Sequence, residues 1–121
     1  MQRIIVTGAT SMIGVALIEE CIKHGTEVYA VVREGSKKRS RLPESSLIKF
    51  ADCSLEHLDR LPEMISQECD TFYHIAWGNT GENRNSSTEL QSRNIGYTLA
   101  AVKAAAALGC KRFIGAGSQA E

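Results

Sequence analysis

The first fourteen residues, Met1-Gln2-Arg3-Ile4-Ile5-Val6-Thr7-Gly8-Ala9-Thr10-Ser11-Met12-Ile13-Gly14, narrow the folds open to this chain more than any other stretch. An apolar run, Ile4 to Val6, breaks into a turn of small residues and resumes from about Met12 in a helical pattern. A buried strand that leaves through a tight loop into a helix points the amides of that helix at an open crevice. A helix N-terminus carries about half a positive charge, so a phosphate binds there without any basic side chain. The corner reads as a site for the pyrophosphate of a dinucleotide. Gly8 would allow the turn, and Gly14 would let the helix lie close against the strand. The spacing is Gly8-x-x-Ser11-x-x-Gly14 rather than G-x-G-x-x-G, with serine standing where a middle glycine would. Taken alone the pattern is weak evidence, because a strand-turn-helix corner with no ligand fits it too.

Length and charge bound the rest. A chain of 121 residues suits one domain, which buries about two-thirds of its unfolded surface and so has one real core. With 14 basic and 14 acidic side chains the formal charge is zero, which argues against nucleic acid or an anionic membrane as a bulk partner. No apolar run approaches the roughly 20 residues of a membrane span, and no secretory signal opens the chain. A cytoplasmic protein is expected. Cys21, Cys53, Cys69 and Cys110 are scattered without a C-x-x-C pair or a zinc-like spacing, so they read as reduced structural thiols and no metal is expected. His24 and His57 read as surface or helix-end residues.

Ile13, Ala16, Leu17 and Cys21 recur at helical spacing, with Glu19, Glu20 and Lys23 opposite and Gly25 as a stop. Glu27 to Val32 is a run apolar enough to be buried on both faces, as a parallel strand between helix layers is. The unit is βαβ, and its right-handed crossover sets the second strand beside the first with the glycine turn at their shared C-terminal edge. Beyond Val32, the segment from Arg33 to Arg41 is polar and basic. As a bare pattern it is a solvated loop, but it leaves the strand end where a dinucleotide fold holds the adenosine ribose. A carboxylate there accepts a 2′-hydroxyl, whereas an arginine accommodates a 2′-phosphate. No acid stands at the strand end and Glu34 comes one residue late. Arg33, with Ser36 and Lys37 or Lys38, would pair a dianionic phosphate well, so NADP is expected over NAD.

Ser46 to Ala51 reads as a third strand ending at Asp52-Cys53. Asp52 fits two roles, a helix N-cap or the acceptor for the exocyclic amine of adenine. Leu55, Leu58 and Leu61 mark a short helix that Pro62 ends or restarts, with Met64 and Ile65 continuing its apolar face. Cys69 to Ile75 is a fourth strand, in which His74 reads as a core histidine rather than a catalytic one. Ile75, Ala76 and Trp77 then enter a small-residue loop where backbone can approach a ligand, and Trp77 fits a pocket wall as well as a packed aromatic. Leu90, Ile95, Leu99, Val102 and Ala106 trace a long helix, whose alanine-rich half, Ala100 to Ala107, packs closely or offers a subunit surface. Asn94 and Gly96 are poor helix formers within it, each costing up to about 1 kcal/mol against alanine. Asn94 therefore suggests a hydrogen-bonding role. Cys110 to Gly115 is the fifth strand, and it delivers Ser118 beyond its C-terminal end, at the ligand crevice of an open parallel sheet.

Five stations along the chain resemble the extended short-chain dehydrogenase/reductases, the NAD-dependent epimerase/dehydratase family. Thr7 to Gly14 resembles its T-G-x-x-G-x-[IL]-G loop, and Asp52-Cys53 its adenine-binding Asp-hydrophobic pair. Phe72-Tyr73-His74-Ile75-Ala76 is similar to its apolar-His-Leu-Ala run, Asn94-Ile95-Gly96-Tyr97-Thr98 to its Asn-Val-x-Gly-Thr segment, and Lys111 to Ser118 to Lys-x-Phe-[IV]-x-x-Ser-Ser. The resemblance implies a Rossmann-like, doubly wound α/β/α fold over residues 1–121, sheet order 3-2-1-4-5, stopping after the fifth strand. It implies cofactor contacts from Gly8, Thr10, Ser11, Met12, Ile13, Gly14, Arg33, Asp52, Cys53, Ile75, Ala76 and Trp77. Ser118 would hydrogen-bond the reacting hydroxyl or carbonyl, and Asn94 would belong to the active-site relay. The substrate would be a nucleotide-sugar, and a homodimer would form through the long helix.

Two departures stand out. Ser11 adds a β-carbon near the pyrophosphate, expected to shift or weaken cofactor binding. The family's Tyr-x-x-x-Lys pair, with the substrate domain, is expected past Glu121, so residues 1–121 alone are expected to be inactive. A non-enzymatic NAD(P)-sensing regulator of the same fold is the alternative.

Overall fold

The computed structural model describes residues 2–33, 35, 37–75 and 88–115, with only the backbone of 88–94. Strands β1 (Arg3–Thr7), β2 (Glu27–Val32), β3 (Ile48–Asp52), β4 (Thr71–His74) and β5 (Arg112–Gly115) form one parallel sheet in the order β3-β2-β1-β4-β5. Between them run helices α1 (Met12–Lys23), α2 (Leu61–Met64) and α3 (Thr88–Ala107), with 3-10 segments at Lys37–Arg41 and Leu55–Arg60. This is the doubly wound Rossmann-like arrangement, and the order reverses beside β1. Register carries Thr7 beside Val31 and His74, Val32 beside Asp52, and His74 beside Gly115. All five C-terminal ends therefore share one edge, with the switch point between β1 and β4, where open α/β sheets hold their ligands.

The apolar runs are continuous because alternate residues serve two cores. Ile4, Val6, Val28, Ala30, Val32 and Ile48 pack with Ile18 of α1 on one face. Ile5, Tyr29, Val31, Ala51 and Phe72 pack on the other with Leu58, Leu61, Ile65 and the α3 residues Ala101, Ala104, Ala105 and Leu108. At the opposite, N-terminal edge, Arg3 ties strands together. Its Nε donates to Glu27 at 3.1 Å, its Nη1 to the Glu68 carbonyl at 2.8 Å, and its backbone amide to the Asp70 carboxylate at 2.9 Å.

Three expectations about helix faces need correcting. In α1 the buried positions are Gly14 and Ile18, while Ile13 and Ala16 are exposed. The helix enters so close to the glycine turn that the sheet-facing line starts at Gly14, one position later than the apolar pattern suggests. In α3, Ile95, Leu99, Val102 and Ala106 are exposed and the alanines on the other side are buried. The core beneath already holds Tyr29 and Phe72 of the sheet and Leu58 of the 3-10 segment, with Phe113 packed against them, so methyl-sized side chains fit there and larger ones do not. Pro62 restarts rather than ends the helical segment, since it falls in the first turn of α2, where its missing N–H is not needed. Ile65 then points inward and Met64 outward.

The four cysteines are free. Burial pushes the Cys69 thiol up to about 12, and burial likewise raises Cys21, Cys53 and Cys110. Such thiols are inert at neutral pH. His24 caps the C-terminus of α1 and is exposed. No helix among the described residues is long and apolar enough to cross a membrane.

Candidate functional site

The glycine turn is held by its own serine. Gly8 has φ +69°, in the left-handed region where a side chain is strained. The amide of Ser11 donates to the Gly8 carbonyl at 3.1 Å, and its Oγ donates to the same carbonyl at 2.7 Å. That Oγ also accepts the Gly14 amide at 3.1 Å, making Ser11 the N-cap of α1. The Ser11 side chain is thus turned onto its own loop. Val15 begins the helical ladder by donating to the Ser11 carbonyl at 2.8 Å. Of the first-turn donors this leaves the Met12 and Ile13 amides outside both cap and ladder, on residues 86% and 63% exposed. Two main-chain donors and the positive end of α1 accordingly lie just past the C-terminal end of β1, the strand that borders the switch point.

Gly14 is required by proximity rather than by φ. A Cβ there would lie 2.2 Å from the Gly8 carbonyl oxygen and 2.9 Å from Ala9 Cα. The close approach is thus to the turn itself.

The basic segment is open to solvent, as its bare pattern suggests, but it is ordered by partners of its own. Lys37–Arg41 winds into a 3-10 turn that folds back over the site. Arg41 Nη1 donates to the Thr10 carbonyl at 3.1 Å, bracing the glycine turn from outside. Arg39 Nη2 donates to the Asp52 carboxylate, and its guanidinium also lies 5.3 Å from the Phe50 ring centroid. Arg33 is exposed just past the end of β2, beside that segment. Arg39 and Arg41 were not singled out by the sequence, where only a run of basic residues hints at them. Their acceptors lie 13 and 31 positions away, beyond any local pattern.

Asp52 ends β3, half exposed, and the N-cap of the following 3-10 segment is Ser54. Of its two expected roles, capping is therefore excluded. The Cys53 backbone amide donates to the Val32 carbonyl at 2.8 Å, next to the Val32–Asp52 register pair of the two strands. Its thiol is buried and donates to the His57 carbonyl at 3.0 Å.

Across the switch point, Thr7 and His74 join β1 to β4. Ile75 donates its amide to Thr7 Oγ1 at 3.1 Å, and Thr7 Oγ1 lies 2.8 Å from His74 Nδ1. Thr7 Oγ1 thus bridges the Ile75 amide and the His74 ring, and which of hydroxyl and Nδ1 donates in the second bond is set by the tautomer of the ring. Burial lowers its pKa, which favours the neutral ring. His74 is the core histidine expected. Because its folded pKa is depressed, its contribution to stability is complete above the unfolded value of about 6.5 and is lost as pH falls below it, with a slope up to about 1.4 kcal/mol per pH unit. Urea denaturation between pH 7.5 and 5 is expected to show this loss, and His74→Asn to remove that component of the slope.

Ala76, Trp77 and Ser118 lie outside the described residues, as does Ser36. Asn94 lies in α3, without a described side chain. Among the described residues no group of His, Cys, Asp and Glu could hold a metal ion.

No curated protein sequence matches the chain. Solved structures match it in fold. A UDP-galactose 4-epimerase superposes with a TM-score of 0.78 at 19% identity, over 98% of this chain and 39% of that one. The UDP-glucose 4-epimerase of Thermotoga maritima, solved with UDP-glucose, gives 0.73 at 22%, over 94% and 37%. WbmG of Bordetella bronchiseptica, solved with NAD and UDP, gives 0.73 at 23%, over 93% and 36%. The chain thus spans under two-fifths of each of these structures. The family model for the NAD dependent epimerase/dehydratase family matches residues 4–121. With that match spanning nearly every residue, and with the glycine turn set at the switch point of a parallel sheet, the chain belongs to the NAD dependent epimerase/dehydratase family.

Proposed function

We propose that these residues form the cofactor-binding part of an NAD(P)-dependent epimerase, dehydratase or reductase acting on a nucleotide-sugar, with NADP preferred over NAD. The observation that carries this reading is the pair of open amides, Met12 and Ile13, behind the Ser11 cap at the switch point. They would hold the pyrophosphate, with Thr10 and Ser11 shaping the turn, Gly8 setting its direction and Gly14 keeping the helix close. Asp52 would accept the adenine amine, with the backbones of Cys53 and Ile75, and Ala76 and Trp77 beyond them, along the crevice. Arg33 supports the 2′-phosphate, because a guanidinium pairs a phosphate dianion in a bidentate way.

The bound nicotinamide supplies hydride transfer. Ser118 would hydrogen-bond the reacting oxygen and Asn94 would serve the relay. None of Tyr29, Tyr73 and Tyr97 is followed four residues later by lysine, so residues 1–121 alone are expected to bind nucleotide without turnover. A nucleotide-sugar substrate is supported by the family and by the UDP and UDP-glucose named for the structures above. The exposed Ile95, Leu99 and Val102 face of α3 supports contact with a second copy of the chain.

The test is to titrate NADPH and NADH separately while following the melting temperature. At a free ligand concentration about ten times Kd the stabilisation is about 1.4 kcal/mol, a shift of several degrees. NADPH is expected to give the larger shift at equal concentration, and Arg33→Ala to shrink the difference. Tighter NADH binding would overturn the NADP preference. A flat response to both would overturn the cofactor site itself.

A further inference from the structure

Asp52 is asked to do two things. The proposed adenosine site needs its carboxylate for the amine of the base, yet in the structure one of its oxygens, Oδ1, is held by Arg39. The two sit on one exposed edge, where β3 ends and the 3-10 segment folds over it. Arg39 is placed there by two attachments, the carboxylate of Asp52 and the ring of Phe50, which stands two residues before Asp52 on the same face of β3. Neither attachment is buried: the Arg39 side chain is 31% exposed and that of Asp52 49%. An ion pair this open to water contributes little and is easily exchanged.

Arg39 has somewhere to go. It lines a hollow of about 510 Å³ together with Leu42, Pro43, Ile48 and Phe50, so it is not wedged against Asp52 from behind. Arg41, by contrast, is committed to the Thr10 carbonyl and keeps the segment anchored while Arg39 swings. Arg33, at the start of the same connection, lies at the end of β2, the neighbour of β3.

We propose that Arg39 is a specificity-determining residue that selects for a 2′-phosphate by exchange of partners. It competes with adenine for the Asp52 carboxylate, and only a nucleotide carrying a 2′-phosphate gives its guanidinium a replacement anion. A nucleotide with a plain ribose frees Asp52 for the base but offers Arg39 no anion in exchange. Both nucleotides break the Arg39–Asp52 pair, so the discrimination between them is the guanidinium–phosphate pair, and the plain-ribose nucleotide is left carrying the cost of the broken ion pair without compensation. This rests on the adenosine site proposed above.

The probes are 5′-AMP and 2′,5′-ADP, which differ only in the 2′-phosphate, titrated calorimetrically into the 121-residue chain and its Arg39→Ala variant. Removing the competitor is expected to tighten 5′-AMP about threefold, the worth of an exposed ion pair. For 2′,5′-ADP the lost phosphate contact costs about tenfold, the low end for a charge-assisted contact, and the freed carboxylate returns about threefold, so a net weakening of about three- to fourfold is expected. The two probes thus move in opposite directions. Arg39→Gln, which keeps the length of the side chain without its charge, is expected to reproduce both signs, and circular dichroism checks that each variant is folded. If 5′-AMP is unchanged, or if both probes weaken together, the exchange is overturned while the adenosine site stands. If the unmodified chain binds neither probe, the site beneath the inference fails with it.

Discussion

Gly14→Ala is expected to destabilise the chain by about 2 kcal/mol or more and to abolish nucleotide binding. The added methyl would stand 2.2 Å from the Gly8 carbonyl oxygen and 3.0 Å from the Ala9 carbonyl carbon. The obstructing atoms are backbone, and they cannot turn aside as the end of a flexible side chain can. Either α1 must lift from the turn or the turn must open. Overpacking of this kind costs typically about 1–3 kcal/mol, and a rigid partner puts this site at the upper end. Against it stands a gain of about 1 kcal/mol from replacing glycine by alanine in a helix. The clash wins. For a domain of this size the melting temperature should fall by roughly 8 °C or more. Gly96→Ala is the control, because nothing lies within 4 Å of a Cβ there. It should be neutral or slightly stabilising in the same urea titration, and equal losses at the two positions would contradict the close approach at Gly14.

The second large effect is expected at Thr7. Thr7→Val keeps the shape of the side chain and removes the hydroxyl that serves both His74 Nδ1 and the Ile75 amide. The amide still has the Thr7 carbonyl, 3.3 Å away. The imidazole, only 2% exposed, loses the one partner described for Nδ1. A buried polar group left in that condition costs about 1–3 kcal/mol. Chemical denaturation should show a loss in that range, and a change below about 0.5 kcal/mol would mean that the ring finds a substitute partner. Thr7→Ser keeps the hydroxyl and should recover most of the difference.

Where burial on both faces decides the pattern, the residues announce the structure. Glu27 to Val32 is read as a strand buried on both sides, and it is one, because successive side chains feed two cores. The adjacency of the first two strands follows from the βαβ crossover, while the full strand order comes from the family resemblance. The amphipathic faces of α1 and α3 are harder. Ile13, Ile95, Leu99 and Val102 are apolar at helical spacing and still point outward, since the surface each helix meets is set by strands far away in the chain. Hydrophobicity reports that a side chain avoids water, but the room available beneath the helix decides which apolar residues go in. The 3-10 turn at Lys37–Arg41 has no apolar period at all. Its course is fixed by acceptors at Thr10 and Asp52. Cys53 shows the opposite limit: its position beside Asp52 is legible, but the burial of its thiol against the His57 carbonyl is not.

The serine at position 11 has a consequence for affinity. A loop of three glycines would be pliable, and a ligand would have to freeze it. Here one hydroxyl ties Gly8 to Gly14, so the loop surrenders its freedom when the chain folds, and an anion at the proposed site would meet a turn that is already set. The side chain that departs from the family's glycine therefore fastens the turn, which offsets the weakening expected from its added β-carbon.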